Sequence, residues 1–383
     1  MLRFLTSGES HGPGLVTIVE GLPAGLPVSA EAIGAELARR RLGHGRGKRM
    51  AIERDELEIM GGVRFGSTLG GPVAVAIRNT EWPKWREEMS PEPGGGARRR
   101  MTAPRPGHAD LAGMLKYDTR DARDVLERAS ARETAARTVA GFLAKRLLEV
   151  VGATVVSHVV SIGDVVAGGP PPGPGEQERV DRSPVRTLDA AAEASMVAAI
   201  DAAHADRDTL GGVVEVLAYG VPPGVGSHVH WDRKLDGLLA GALMSIPAIK
   251  AVEIGDGGLV AGGRGSAAHD EIGYERGRFT RSSSRAGGIE GGISNGEPIR
   301  LRGAMKPLST LMRPLATVDV DTKAAEQAFR ERTDTCAVPA AGVVAEQMVA
   351  WVLAAEIQRM FGGDTVGDLE RTARAYMERT ARY

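Results

Sequence analysis

Along the chain, short β-rich runs and longer helical stripes alternate without a steady rhythm. Apolar and β-branched runs predict strands over residues 2–6, 15–20, 73–77, 154–162, 213–217, 252–254 and 299–302. Three- and four-residue spacing predicts helices over 30–41 behind Ser29, over 231–245 with Leu235, Leu239 and Leu243, and over 339–361 behind a first-turn Pro339. The clearest helix opens at Ser130 and stops at Gly152, with Ala135, Val139, Phe142, Leu143 and Leu147 on one face. Glu133, three residues after Ser130, completes an S-x-x-E capping box. In the last helix, Val344, Met348, Trp351, Val352 and Ala355 form a stripe that reads as core rather than as a cofactor site. A doubly wound parallel sheet needs regular strand-helix alternation, so the irregular order indicates the α+β class.

Three stretches break the pattern and read as loops: PEPGGGARRR at 91–100, GGPPPGPG at 168–175 and a Gly/Ser/Arg-rich tract over 255–296. The helices on either side of the proline-rich stretch need partners, so the chain is not divided there. One domain is expected over 1–383, with mobile loops near 86–104, 166–187 and 262–290. Arg98, Arg99 and Arg100 make the first of these a candidate lid over an anionic ligand.

Composition changes this picture in three ways. A net charge of -1 supplies no global field toward nucleic acid or anionic membranes, so any affinity for anions must be local. Cys336 is the sole thiol, which excludes an intramolecular disulfide or Cys-rich zinc site and suits a reducing compartment, the cytoplasm. The start MLRFLTSGES lacks signal-peptide character, and no run approaches 18 apolar residues, so no membrane span is expected.

Local anion sites do exist. Residues 39–49, RRRLGHGRGKR, hold six Lys or Arg and no acid at a helix end running into a Gly-rich turn. Guanidinium groups grip phosphate and carboxylate in pairs of hydrogen bonds, so this is a candidate anion trap. A solvated basic face and a nucleic-acid patch are competing readings, the latter weakened by 4% aromatics. His11 in GESHG and His108 in PRPGHAD sit at Gly-flanked turns, where an imidazole can donate a proton near neutral pH or serve only structure. Arg332, Thr333 and Asp334 lie in a loop, either orienting a ring or forming a surface ion pair. Lys306, Pro307, Leu308, Ser309 and Thr310 follow a strand, as a turn or as an anion-wrapping segment.

Taken together and in order, GESHG (8–12), RRRLGHGRGKRM (39–50), RPGHAD (105–110), ERASARETAAR (127–137), GGISNGEPI (291–299) and KPLST (306–310) followed by RTDTCAVPAAG (332–342) resemble chorismate synthase. The resemblance covers nearly the whole chain. It implies a β-α-β sandwich of antiparallel sheets around a helical layer, assembled as a homotetramer. It also implies a lyase of aromatic amino acid biosynthesis, performing the anti-1,4-elimination of phosphate from 5-enolpyruvylshikimate 3-phosphate. Reduced FMN is required, with NADPH as a source of reducing equivalents, either directly or through a separate flavin reductase.

Carried onto matching positions, the resemblance makes His11 the proton donor to phosphate, sets His108 facing the flavin, and places Asp334 beside its N5. Flavin contacts fall on Arg128, Ala129, Ser130, Pro247, Ala248, Gly291, Lys306 to Thr310 and Arg332. Ser10, Arg46, Arg49, Arg105 and Arg132 meet the substrate, and Arg40 and Arg46 match positions associated with NADP. Ala129 stands where the family usually has Ser, and Pro247 where a polar residue is common, which leaves backbone contacts to FMN at both. A flavin-dependent oxidoreductase and an RNA-binding scaffold are the rival readings.

Overall fold

The computed structural model describes residues 1–47, 56–93 and 100–383. One antiparallel sheet holds β1 (Arg3–Ser7), β2 (Gly14–Glu20), β3 (Glu56–Gly61) and β4 (Val73–Arg78) in the order β1-β2-β4-β3. A second holds β5 (Thr154–Ile162), β6 (Val165–Val166), β7 (Gly212–Tyr219), β8 (Ile249–Ile254) and β9 (Ile299–Met305) in the order β8-β9-β7-β5-β6, again antiparallel throughout. The helices are α1 (Ala30–Arg41), α2 (Asp110–Tyr117), α3 (Arg123–Ala129), α4 (Thr134–Val150), α5 (Ala190–Ala205), α6 (Leu235–Met244), α7 (Val338–Phe361) and α8 (Val366–Ala381), with shorter turns between them.

Alternation explains the layering. In β2 the inward Leu15, Thr17 and Val19 are buried while Ile18 and Glu20 face out. The apolar face of α4 packs against β1 and β2, α7 packs against β5 and β7, and the two helices pack on each other with α1 alongside. The result is the sandwich of two sheets around a helical layer expected from the motifs.

The structure differs from the pattern at several places. The stripe on α7 is only part of its buried surface, because Ala345, Val349 and Ala350 on other faces are buried too. This follows from its position, with a sheet on one side and α4 on another. It is also the one described helix long and apolar enough to cross a membrane, at mean hydropathy 1.5, and most of that apolar stretch is buried inside the protein. Such a span was not expected from the sequence. Ser130 does cap, but its hydroxyl accepts from Arg132 N across a short 3-10 turn, and the Glu133 carboxylate pairs with Arg137 instead of reaching back. The Gly-rich tract is not all loop: Ile272–Glu275 and Arg278–Arg281 form a hairpin, since Arg276 and Gly277 both take the positive φ that a tight two-residue turn needs.

Gly141 on α4 is where the two core helices touch. A Cβ there would fall 2.2 Å from the Gln347 Cβ of α7. Gly141→Ala is expected to lower stability by about 1–3 kcal/mol through overpacking, despite alanine's better helix propensity, and thermal unfolding measures it.

Candidate active site

The GESHG turn leaves the end of β1 and is clamped to α3. Arg128 donates to the Gly8 and Thr6 carbonyls, each at 3.0 Å, and Ser10 N–H donates to the Glu127 carbonyl at 3.0 Å. His11 N–H donates to Glu127 Oε2 at 2.8 Å, while the imidazole Nδ1 lies 2.9 Å from Oε1. Asn79 Nδ2 holds the Ser10 and Gly12 carbonyls from the other side. The His11 ring is therefore buried and oriented, with Trp85 over it at 4.0 Å between centroids. Burial works against charge on Glu127, but His11 and then Arg123, which donates to Oε1 at 2.8 Å, outweigh it and hold the carboxyl below its usual range.

PRPGHAD builds a similar arrangement at the start of α2. Arg105 grips Asp110 through Nε at 2.8 Å and Nη2 at 3.1 Å, and its Nη1 donates to Thr310 Oγ1 at 2.8 Å. His108 Nδ1 lies 2.5 Å from Asp110 Oδ1. Asp110 is fully buried, which disfavours its charge, yet His108 and Arg105 bring its pKa down to about 2. KPLST closes against this turn: Lys306 Nζ donates to Gly107 O at 3.0 Å and to Ser309 Oγ at 2.7 Å. Burial and nearby Lys250 push the Lys306 ammonium pKa down. Lys306 N–H also donates to the Ala248 carbonyl, which sets Pro247 and Ala248 beside the same segment.

A strap of six residues, Phe329 to Asp334, reaches partners of both histidine turns and the Gly-rich turn after α1. The Arg105 guanidinium lies over the Phe329 ring at 4.7 Å. Glu331 pairs with Arg123 at 3.5 Å, and Arg332 with Glu81 at 2.9 Å. Asp334 accepts from Gly47 N at 2.7 Å and pairs with Arg46 at 3.3 Å. The strap thus joins the surroundings of His11, His108 and Arg46. Arg46 Nε is buried without a hydrogen-bond partner among the described residues. Lys306 and Arg128 bond carbonyl and hydroxyl oxygens but no carboxylate among the described residues. These cations fit phosphorylated ligands.

Other expected site residues are placed differently. Arg39, counted in the anion trap, turns into the core and grips Glu346 with two bonds, at 2.7 and 3.0 Å. Its position on the inner face of α1 gives it buried acids to pair with, so it leaves the trap. Arg40 is buried and donates to Thr134 Oγ1 and the Ala131 carbonyl. Arg132 is buried at the same helix start, where Ser130 caps. Ala129 ends α3. Gly291 turns a small hairpin at φ +62 with open space where a Cβ would stand, and no hydrogen bond among the described residues joins it to either histidine. Arg49, and Arg98 and Arg99 of the expected lid, lie outside the described residues. Arg100 pairs with Asp321 at 2.9 Å.

A cavity of about 670 Å³ opens beside Glu127, lined by the acids Glu9, Glu88, Asp118, Asp121 and Asp124 together with Arg100, Arg120 and Arg123, so acids outnumber cations there and the lining favours a multiply charged anion less than the histidine turns do. The histidines and the uncompensated cations mark the site better than that cavity does. Sequence reasoning missed Glu127, Arg123, Trp85 and Asp110 as site residues. The i, i+4 spacing of Arg123 and Glu127 and the carboxylate two places after His108 were the available signals.

Comparison with known proteins agrees with the motifs. The chorismate synthase family profile matches residues 2–357. The chorismate synthase of Parafrankia sp. (strain EAN1pec) is 60% identical over 393 residues, covering 100% of each chain. That of Streptomyces coelicolor is 58% identical over 386 residues, covering 98% of each. A crystal structure of chorismate synthase superimposes with a TM-score of 0.80 at 40% identity, covering 100% of this chain and 99% of that one. With the match spanning both sheets, the helical layer and both histidine turns, the chain belongs to the chorismate synthase family.

Proposed function

We propose that this protein forms chorismate by anti-1,4-elimination of phosphate from 5-enolpyruvylshikimate 3-phosphate, with reduced FMN required and no net redox change. The observation that carries the reading is the pair of imidazoles seated on buried carboxylates, His11 on Glu127 at 2.9 Å and His108 on Asp110 at 2.5 Å, near the uncompensated cations Arg128 and Lys306. Phosphate departs more easily when it is protonated as it leaves, and His11 is the oriented donor. Arg105, rigid on Asp110 and Thr310, and Arg46, with its orphaned Nε, hold the substrate's anionic groups together with Ser10, Arg132 and Arg49.

Reduced FMN, when bound, supplies the electron density that helps phosphate leave and takes up the ring hydrogen. Lys306, Ser309, Thr310, Arg128 and Arg332 are the side chains suited to hold it, with backbone groups at Ala129, Pro247 and Ala248. Asp110 fixes the His108 ring through Nδ1, and a ring held in this way would face the bound flavin and help set its protonation. Asp334, anchored by Gly47 and Arg46, lines the same region. The protein works in this reading as a cytoplasmic homotetramer; Leu5, Ile18 and Met60, exposed on the outer face of the first sheet, support self-association by offering an apolar surface for another copy to cover.

An anaerobic assay tests the reading. With chemically reduced FMN, the substrate is converted to equal amounts of chorismate and phosphate while the flavin stays reduced. With NADPH and oxidised FMN, product forms only if the protein, or an added flavin reductase, reduces the flavin first. NADPH consumed in proportion to every product molecule overturns the elimination and selects an oxidoreductase.

A further inference from the structure

We propose that Glu127 is the positioning residue for His11: its buried carboxylate takes the Nδ1 hydrogen, so the ring exchanges its working proton through Nε2. The inference rests on the reading of His11 as proton donor to phosphate. A carboxylate accepts hydrogen bonds and donates none, so it selects one of the two neutral tautomers of an imidazole, the one with its hydrogen on the contacting nitrogen.

Three observations carry it. Glu127 is 2% exposed and receives His11 twice, through backbone N–H at 2.8 Å and ring Nδ1 at 2.9 and 3.1 Å, which fixes the residue and the ring plane together. Arg123, one helical turn earlier, donates to Oε1 at 2.8 Å and keeps the carboxylate ionised. That same guanidinium lies over the Trp85 ring at 5.0 Å, and Trp85 covers the imidazole at 32° between planes, so the carboxylate and the indole restrain the ring together. The clamps from Arg128 and Ser10 stop α3 from drifting away from the turn.

Glu127→Gln is nearly isosteric, but its amide can serve either tautomer. The test makes this change with and without His11→Ala and reads two signals. In otherwise intact enzyme with reduced FMN, kcat falls about 10- to 100-fold while KM stays within about threefold. In the His11→Ala background, Glu127→Gln changes kcat less than about twofold, because a residue acting through His11 has nothing left to act on. In ligand-free protein, the emission of Trp85, taken as the difference from Trp85→Phe, shifts with Glu127→Gln, and the shift disappears when His11 is absent. Glu127→Asp, which keeps an acceptor-only group, recovers part of the lost kcat. Equal losses in both backgrounds, or a change confined to KM, overturn the proposal. Full turnover in His11→Ala alone refutes the proton-donor reading instead, and the emission experiment then decides whether Glu127 holds the ring.

Discussion

Replacing His11 with alanine lowers turnover about 10²- to 10⁴-fold without unfolding the protein, and His108→Ala does the same. The magnitude is what a positioned proton donor contributes when its loss leaves binding intact. The geometry explains why folding survives. After His11→Ala, the residue-11 backbone N–H still donates to Glu127, and Arg123 still pairs with that carboxylate. After His108→Ala, Asp110 keeps its two bonds to Arg105. Neither buried acid is left without a cation. Single-turnover measurements with reduced FMN under anaerobic conditions separate the chemical step from binding, and unchanged rates in both variants remove these two residues from the mechanism.

Glu346→Gln is expected to lower stability by about 3–5 kcal/mol, the cost of breaking a buried charge network on one side. Glu346 is fully buried on α7 and meets Arg39 of α1, Lys145 of α4, Arg186 and the Ser157 hydroxyl of β5. Glu36 and Asp181 complete three acids against three bases. Burial disfavours the Glu346 charge, but Arg39 first and then Lys145 overcome it, and the carboxyl sits far below its ordinary range. A carboxyl depressed in this way stabilises the fold above the unfolded value near 4.5, and that contribution fades as pH falls toward the much lower folded value. Neutralising it by substitution leaves one uncompensated buried positive charge at every pH. Urea unfolding of both proteins at neutral pH measures the difference, and a loss below about 1 kcal/mol means that the network relaxes or admits water. Because Arg40 lies in the last turn of α1 and the Gly47 contact to Asp334 comes a few residues after that helix, loosening this network is also expected to weaken anion binding.

Much of the sandwich could be read from the chain because its strands alternate and its core helices carry wide apolar faces. β3 was missed although Glu56, Leu57, Glu58 and Ile59 alternate, because the alternating run is only four residues long before a bulge between Ile59 and Gly61. α5 was missed for a different reason: AAAEASMVAAIDAAHA is so uniformly small that its apolar positions mark no single face. The histidine turns stood out because glycine, proline and imidazole cluster locally. The partner of His11 did not, because its contact with Glu127 spans 116 positions, whereas Asp110, two places after His108, carried a local signal that was overlooked. Arg39 shows the same limit in reverse, as a run of cations looks uniform in sequence while the inner face of a helix turns one of them toward buried acids.

Cys336 lies between the strap and α7, wholly buried, and desolvation pushes its thiol up to about 11. Its neighbour Thr335 donates from N–H to the Gly45 carbonyl, so the sulfhydryl sits directly behind the wall that carries Asp334. A thiol that is neither ionised nor reachable ignores alkylating and oxidising agents while the chain is folded. Labelling of the protein's single sulfur with such an agent therefore counts the molecules that have opened, and offers a chemical clock for unfolding at the back of the site.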